Sequence, residues 1–286
     1  MNQRSSVYPN AKESVYATLI VLAISLVAGI ILSFIPGEYG TLIQYTVPMM
    51  LAYLYLQNRQ RSFSDPIPSY TNSVSKPGIY PPIIIGTMSI LVINSFLGAF
   101  IPMPQFFIDI FEEFMGEEGI YTFLTVAVAA PILEELIFRG VILNGLLKNY
   151  SPLKAIMISS LLFGLLHLNP WQFIAAFNLG VLAGWVFYRT GSIIPAIAVH
   201  FVNNGSASII SLLEDGETDY NIPPLEIYGS TGTTLTMVFS AIALLALCIF
   251  LLNRTLPVPV VEQNENESDQ SSFNVSNDEE EVSEDE

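Results

Sequence analysis

The chain has 286 residues, of which 51% are hydrophobic and only 13% are charged, and its mean hydropathy is +0.51. These values are unlike those of a soluble globular protein and are typical of a protein with several membrane-spanning helices. A formal net charge of −16 argues against nucleic acid as a partner, and the single cysteine, Cys248, excludes an internal disulfide and a cysteine-rich metal site.

Several apolar segments approach the length that a bilayer demands, which is about 20 residues for each helix. We therefore predict an all-α, polytopic transmembrane helical bundle over residues 1–254. About eight spans are expected, at 14–35, 41–57, 82–101, 120–147, 152–168, 170–189, 192–213 and 233–252. The segment 104–119 is too polar to span, and it is interpreted either as an amphipathic helix at the outer interface or as a loop anchored by aromatic residues.

Residues 255–286 form a second region with a different composition. They hold 11 of the 26 acidic residues and no lysine or arginine, and they are rich in serine and asparagine. Such a segment cannot bury enough apolar surface to fold, so a disordered acidic tail is predicted.

The basic residues of the connecting segments predict the orientation in the membrane. With eight spans, all but one of the Lys and Arg residues fall on the same side of the bilayer, namely Arg4, Lys12, Arg59, Arg61, Lys76, Lys148, Lys154, Arg189 and Arg254. Because basic loops stay in the cytoplasm, both termini are predicted to be cytoplasmic, and the membrane is the plasma membrane if the protein is bacterial. The remaining base, Arg139, lies inside the fourth span.

The fourth predicted span carries Glu134, Glu135 and Arg139, although a charge at bilayer depth costs roughly 2.5–3.5 kcal/mol on insertion scales. Glu135 and Arg139 are four residues apart and share a helix face, where an ion pair reduces the cost of burying both. Glu134 is rotated by about 100° from Glu135 and has no such partner in its own helix. Because a partly dehydrated carboxylate binds a proton more readily, Glu134 is the candidate general base.

Two later spans carry the only two histidines of the chain. His167 is near the end of the fifth span, and His200 lies in the seventh span, four residues before Asn204 and on the same helix face. An imidazole and a carboxamide on one face can both donate hydrogen bonds to a single oxygen, which suits an oxyanion. Taken singly, these residues also have structural interpretations: the charges could form a buried ion network or a proton relay, and the histidines and Asn204 could hold helices together.

The order of these motifs resembles that of the CPBP intramembrane peptidases, a family that groups CAAX prenyl endopeptidases with bacteriocin-processing and self-immunity proteins. The family pattern is Glu-Glu-x-x-x-Arg, then Phe-x-x-x-His, then His-x-x-x-Asn, on three helices. This chain matches it in the same order at 134–139, 163–167 and 200–204. The resemblance covers about residues 120–210.

By this resemblance the catalytic residues are Glu134, His167, His200 and Asn204, and the supporting residues are Glu135 and Arg139. Glu134 would activate the attacking water, which His167 would help to hold. His200 and Asn204 would stabilise the oxyanion.

The family has been described both as metalloproteases and as glutamate peptidases, and the sequence leaves both open. No cofactor is favoured, because Asn204 and Arg139 suit direct hydrogen bonding and the His-Glu-x-x-His motif of many zinc proteases is absent. Zinc bound by Glu134, His167 and His200 is the alternative.

These observations together predict an intramembrane endopeptidase that cleaves a membrane-attached peptide or protein and whose surroundings are the lipid bilayer. A prenylated substrate is one option that the resemblance implies. Two other functions stay open: a membrane transporter or ion relay that uses the same buried charges, and a bacteriocin self-immunity protein that binds without cleaving. The internal repeats that many transporters show are not obvious in this chain.

Overall fold

The computed structural model describes residues 7–35, 39–63, 70, 76–109, 119–213 and 219–256. These ranges contain helices and no β-strand, as the all-α prediction requires. Two predictions fall mainly outside them. The acidic tail is beyond the described residues from 257 onward, and so are residues 110–118 of the segment expected at the outer interface.

The described ranges contain eight main helices, and each coincides with one of the apolar segments predicted to span. They are α1 (Ala11–Leu32), α2 (Tyr39–Arg61), α3 (Tyr80–Gly98), α4 (120–149), α5 (Pro152–Leu166), α6 (Pro170–Thr190), α7 (Ile193–Leu213) and α8 (Thr231–Thr255).

Five of these helices are long and apolar enough to cross a membrane: α1, α3 with the turn that precedes it, α6, α7 and α8. Helix α5 is apolar but has only 15 residues. Several such helices make this an integral, multi-pass membrane protein. That α2, α4 and α5 also span the bilayer stays a prediction.

Helix α4 carries the two adjacent glutamates, and its turns are irregular. Wider π-helical turns at Leu124–Ala129 and Leu136–Leu143 flank a short α-helical stretch, Ala130–Glu135. Such turns are rare and occur frequently at functional sites.

Side chains of neighbouring helices donate hydrogen bonds to backbone carbonyls within both π-helical stretches of α4. Asn204 Nδ2 lies 2.9 Å from the oxygen of Val126, and Ser159 Oγ lies 3.2 Å from the oxygen of Phe138. Because lipid offers no hydrogen bonds, a carbonyl displaced from regular helical pairing needs such a donor. The irregular turns therefore tie α4 to α5 and α7.

The packing places α4 among four other helices, α2, α5, α6 and α7. Between α5 and α6 the backbones approach closely at glycines: a Cβ added to Gly180 would lie 3.0 Å from Ser160 Cβ, and one added to Gly164 would lie 2.9 Å from a ring carbon of Phe173. Small residues permit such a close approach of helices in membrane bundles.

A tight turn connects α6 to α7. Gly191 ends α6 with a φ of +59°, a left-handed conformation that glycine adopts without steric cost, and α7 begins two residues later. The turn returns the chain alongside α6, so that α7 also packs against α4. This return brings His200 to the glutamates.

Candidate active site

The ion pair predicted inside α4 is present. Arg139 Nη1 lies 2.7 Å from Glu135 Oε1, and the two side chains are 1% and 0% exposed. Breaking such a buried pair leaves an uncompensated charge in an apolar interior, which is far more costly than losing a surface pair. Glu135 and Arg139 are therefore mutually dependent.

Arg139 also joins α4 to the two helices behind it. Its Nη2 donates to the backbone oxygen of Gly180 on α6 at 3.1 Å. Its guanidinium lies over the ring of Phe163 on α5, 4.8 Å from the ring centroid. The negative face of an aromatic ring attracts a cation, most strongly where water is excluded. One buried arginine thus contacts three helices.

His200 reaches from α7 to both carboxylates. Its Nδ1 lies 2.9 Å from Glu135 Oε1, and its Nε2 lies 3.8 Å from Glu134 Oε2. The residue is 3% exposed. Because an ionised carboxylate oxygen can only accept, Nδ1 carries the hydrogen in the first contact. The second distance is too long for a direct hydrogen bond.

Glu134 has one engaged oxygen and one free oxygen. Oε1 accepts a hydrogen bond of 2.5 Å from the hydroxyl of Tyr45 on α2. Oε2 is buried and has no hydrogen-bond partner among the described residues. Glu135 Oε2 also lacks one, but the charge of Glu135 is balanced by Arg139. Glu134 is therefore the carboxylate that has no arginine partner and has one oxygen outside any hydrogen bond among the described residues.

Asn204 lies one turn beyond His200 on α7, as the spacing predicts. Its Nδ2 donates to Val126 of α4, and its Oδ1 accepts from Asn203 Nδ2 at 3.0 Å. A carboxamide nitrogen carries two hydrogens, so one N–H beyond that bonded to Val126 is available.

His167 follows the last residue of α5 and is half-buried. Its Nδ1 lies 3.0 Å from the backbone oxygen of Phe163, and it makes no hydrogen bond with either carboxylate among the described residues. The ring of Phe163 contacts both imidazoles, at centroid distances of 5.4 Å from His167 and 5.6 Å from His200. The structure thus brings His167 and His200 to one shared aromatic ring.

The three residues considered as zinc ligands are Glu134, His167 and His200. In the part of the chain that the structure describes, no three His, Cys, Asp or Glu side chains are grouped so that they could hold a metal ion. Among the described residues, His167 is hydrogen-bonded to the backbone oxygen of Phe163 and to neither glutamate. As placed, these donors do not fit a three-ligand zinc site.

Two residues of this cluster have no assigned part in the sequence interpretation. Tyr45 carries a hydroxyl group within an apolar segment, and no periodicity of the sequence connects it with Glu134, which is 89 residues later. Phe163 stands in the matched Phe-x-x-x-His pattern, but only the structure shows that it contacts Arg139 and both histidines. The matched pattern therefore indicates that Phe163 belongs to the site, whereas no feature of the sequence indicates this for Tyr45.

Comparison with known proteins agrees with the resemblance. Residues 116–206 match the family model described as type II CAAX prenyl endopeptidase Rce1-like, which confirms the recognition of the CPBP peptidases over that part of the chain. An uncharacterized 24.3 kDa protein of Escherichia coli is 25% identical over 171 residues, which are 57% of this chain and 74% of that protein. No solved structure matches the chain.

Proposed function

We propose that this multi-pass membrane protein, which is similar to CAAX-type proteases over residues 116–206, is an intramembrane endopeptidase that hydrolyses a peptide bond with a water activated by Glu134. The observation that carries the proposal is that a carboxylate oxygen and an imidazole nitrogen lie close to each other inside the bundle. Glu134 Oε2, a buried oxygen without a hydrogen bond, faces His200 Nε2 at 3.8 Å.

The distance between these two atoms suits a bridging water. An oxygen about 2.8 Å from each atom completes a triangle whose two new sides are ordinary hydrogen bonds. Glu134 would accept a proton of this water, which is the geometry that a general base needs. Because Tyr45 occupies the other oxygen of Glu134, Oε2 is the oxygen that remains for the water.

In the proposed reaction, Glu134 Oε2 takes one proton from the water as the water oxygen bonds to the peptide carbonyl carbon. The carbonyl π electrons move to the carbonyl oxygen and form an oxyanion. When the oxyanion collapses, the C–N bond breaks, and the leaving nitrogen takes the proton from Glu134. The products are a carboxylic acid and an amine, and Glu134 is again ionised.

His200 and Asn204 would stabilise the oxyanion. With Nδ1–H donated to Glu135, Nε2 donates only when the ring is an imidazolium. As an imidazolium, His200 would face both carboxylates, with Nδ1 at Glu135 and Nε2 toward Glu134. Asn204 has its second N–H for the same oxygen.

His167 would help to hold the water or the substrate from the rim of the cluster. Its Nδ1 faces the backbone of its own helix, which leaves Nε2 for such a contact. Phe163, in contact with both histidine rings, fixes the spacing between them.

We favour the metal-free glutamate mechanism over a zinc mechanism. Two observations support this choice: Glu134 Oε1 accepts from Tyr45, and no three of the described His, Cys, Asp or Glu side chains are grouped so that they could hold a metal ion.

The substrate would be a membrane-attached peptide or protein that enters from the bilayer or its surface, since the cluster lies among apolar helices. A prenylated CAAX-like peptide belongs to this class and follows from the similarity to CAAX-type proteases. Both termini would be cytoplasmic, in the plasma membrane if the protein is bacterial.

The test is cleavage of a library of membrane peptides, prenylated peptides included, by the full chain purified in detergent. Wild type is compared with Glu134→Gln, each with and without a zinc chelator, and with Glu226→Gln as a matched control at an exposed position. We expect cleavage by wild type and Glu226→Gln, no cleavage by Glu134→Gln, and no effect of the chelator.

Other outcomes would change the proposal in defined ways. Cleavage lost on chelation would indicate a metal mechanism. Cleavage retained in Glu134→Gln would remove the general base from the proposal. A folded wild type that cleaves no peptide would favour the ion relay or the self-immunity protein.

A further inference from the structure

Tyr45 makes the only direct hydrogen bond to Glu134 among the described residues, and it comes from a helix outside the family match. It lies on α2, whereas the match covers residues 116–206. The side chain is half-buried, and its hydroxyl lies 2.5 Å from Glu134 Oε1.

The polar groups around Glu134 come from three helices. Tyr45 approaches from α2 and His200 from α7, and α4 itself contributes Glu135 and Arg139. Arg139 is bonded to Glu135, and His200 Nε2 is beyond hydrogen-bond distance of Glu134. The orientation of the Glu134 carboxylate therefore depends on Tyr45.

We propose that Tyr45 is a positioning residue for the general base: its hydroxyl holds Glu134 Oε1 and aims Oε2 at His200. The inference rests on the proposed function. When Oε2 takes the proton of the water, Oε1 becomes a carbonyl oxygen and still accepts from Tyr45. The contact thus persists through the reaction.

The test measures kcat, KM and the unfolding temperature for Tyr45→Phe in the full chain, which removes one hydroxyl and keeps the ring. We expect kcat to fall about 10- to 100-fold, as the loss of one hydrogen bond to a charged group predicts, with KM within about twofold. A fall in kcat at unchanged KM and unchanged unfolding temperature distinguishes positioning of the base from a structural role.

Tyr53→Phe is the matched control. Tyr53 lies two turns further along α2, and its hydroxyl accepts from Gln57 Nε2 at 2.7 Å. The same atom is removed from the same helix without touching Glu134. We expect kcat and KM to match wild type.

A second variant keeps the hydroxyl in case Tyr45→Phe does not fold. A fluorinated tyrosine at position 45 keeps the donor, because its phenol still carries the O–H, so kcat should be retained. A wild-type kcat for Tyr45→Phe, while Glu134→Gln is inactive, would overturn the inference and leave the proposed function intact, and so would a loss of kcat in the fluorinated variant as large as that in Tyr45→Phe. Equal losses in Tyr45→Phe and Tyr53→Phe with lower unfolding temperatures would also overturn it. Activity retained in Glu134→Gln would instead refute the proposed function.

Discussion

His200 Nδ1 and Arg139 Nη1 both bind the same oxygen, Oε1 of Glu135, so His200 and Glu135 are joined across two helices at 2.9 Å. This one carboxylate orients a guanidinium on its own helix and an imidazole on α7. The adjacent Glu134 has a single hydrogen bond and a free oxygen. The two adjacent glutamates thus differ in the number of side chains bonded to them: Glu135 is bonded to Arg139 and His200, and Glu134 to Tyr45.

This difference predicts that replacing glutamate by glutamine changes the free energy of unfolding by unequal amounts at the two adjacent positions. Glu135→Gln removes the charge that compensates buried Arg139 and should lower the free energy of unfolding by about 3–5 kcal/mol. Glu134→Gln removes a buried charge and keeps an acceptor for Tyr45, so its effect should stay within about 1 kcal/mol. Thermal unfolding of the full chain in detergent, followed by intrinsic fluorescence, distinguishes the two.

A double variant separates the ion pair from other effects at this position. Replacing Glu135 by Gln together with Arg139 by Met removes both charges, and loss of both partners is commonly less damaging than loss of one. Its unfolding temperature should lie above that of Glu135→Gln. If Glu135→Gln is already as stable as Glu134→Gln, the buried pair does not hold the site together.

The eight helices could be predicted because lipid demands long apolar helical segments. The seventh span was predicted at 192–213, and the helix is Ile193–Leu213. The π-helical turns of α4 could not be predicted, because hydropathy does not distinguish a π turn from an α turn. The pairing of Glu135 with Arg139 was nevertheless predicted from their four-residue separation.

The position of His167 shows a limit of estimating the depth of a residue in the membrane from its place along a predicted span. A span at 152–168 places this residue near the outer end of its helix, whereas His200 and Glu134 are deeper. In the structure α5 ends at Leu166 after 15 residues, about 22 Å of helix against about 30 Å of hydrocarbon. His167 follows that helix directly, and its ring and the ring of His200 both contact Phe163.

Asn204→Ala tests the oxyanion assignment. Loss of one oxyanion donor reduces kcat by about 10²–10³-fold in well-studied hydrolases, and we expect that range here with little change in KM. Asn203→Ala is the control, since Asn203 adjoins Asn204 and donates to its Oδ1 but has no part in the proposed reaction. Steady-state kinetics at saturating substrate separates the two parameters. Equal losses in both variants, or a loss confined to KM, would contradict the assignment.

The close contact of α5 and α6 predicts that Gly164→Ala is destabilising. The added Cβ would lie 2.9 Å from Phe173 Cδ2 and 3.0 Å from the backbone oxygen of Phe173, and overpacking of this kind costs about 1–3 kcal/mol. Activity should fall as well, because His167 follows three residues later. Gly29→Ala in α1, where nothing lies within 4 Å of the new atom, should be neutral or slightly stabilising. Equal unfolding temperatures for the two variants would contradict the prediction, because α5 and α6 would then accommodate the added Cβ without loss of stability.

Asn94 and Asn178 form a polar contact that is expected to serve stability alone. Asn178 Nδ2 donates to Asn94 Oδ1 at 2.7 Å, and Asn94 Nδ2 donates to the backbone oxygen of Ala175 at 3.3 Å, so the pair joins α3 to α6. Interhelical hydrogen bonds in membranes contribute about 0.6 kcal/mol on average and at most about 1.7. A double-mutant cycle with alanine at both positions should give a coupling energy in this range, with kcat unchanged in all three variants. A large fall in kcat at unchanged unfolding temperature would instead place the pair in the catalytic site, because stability alone could not account for it.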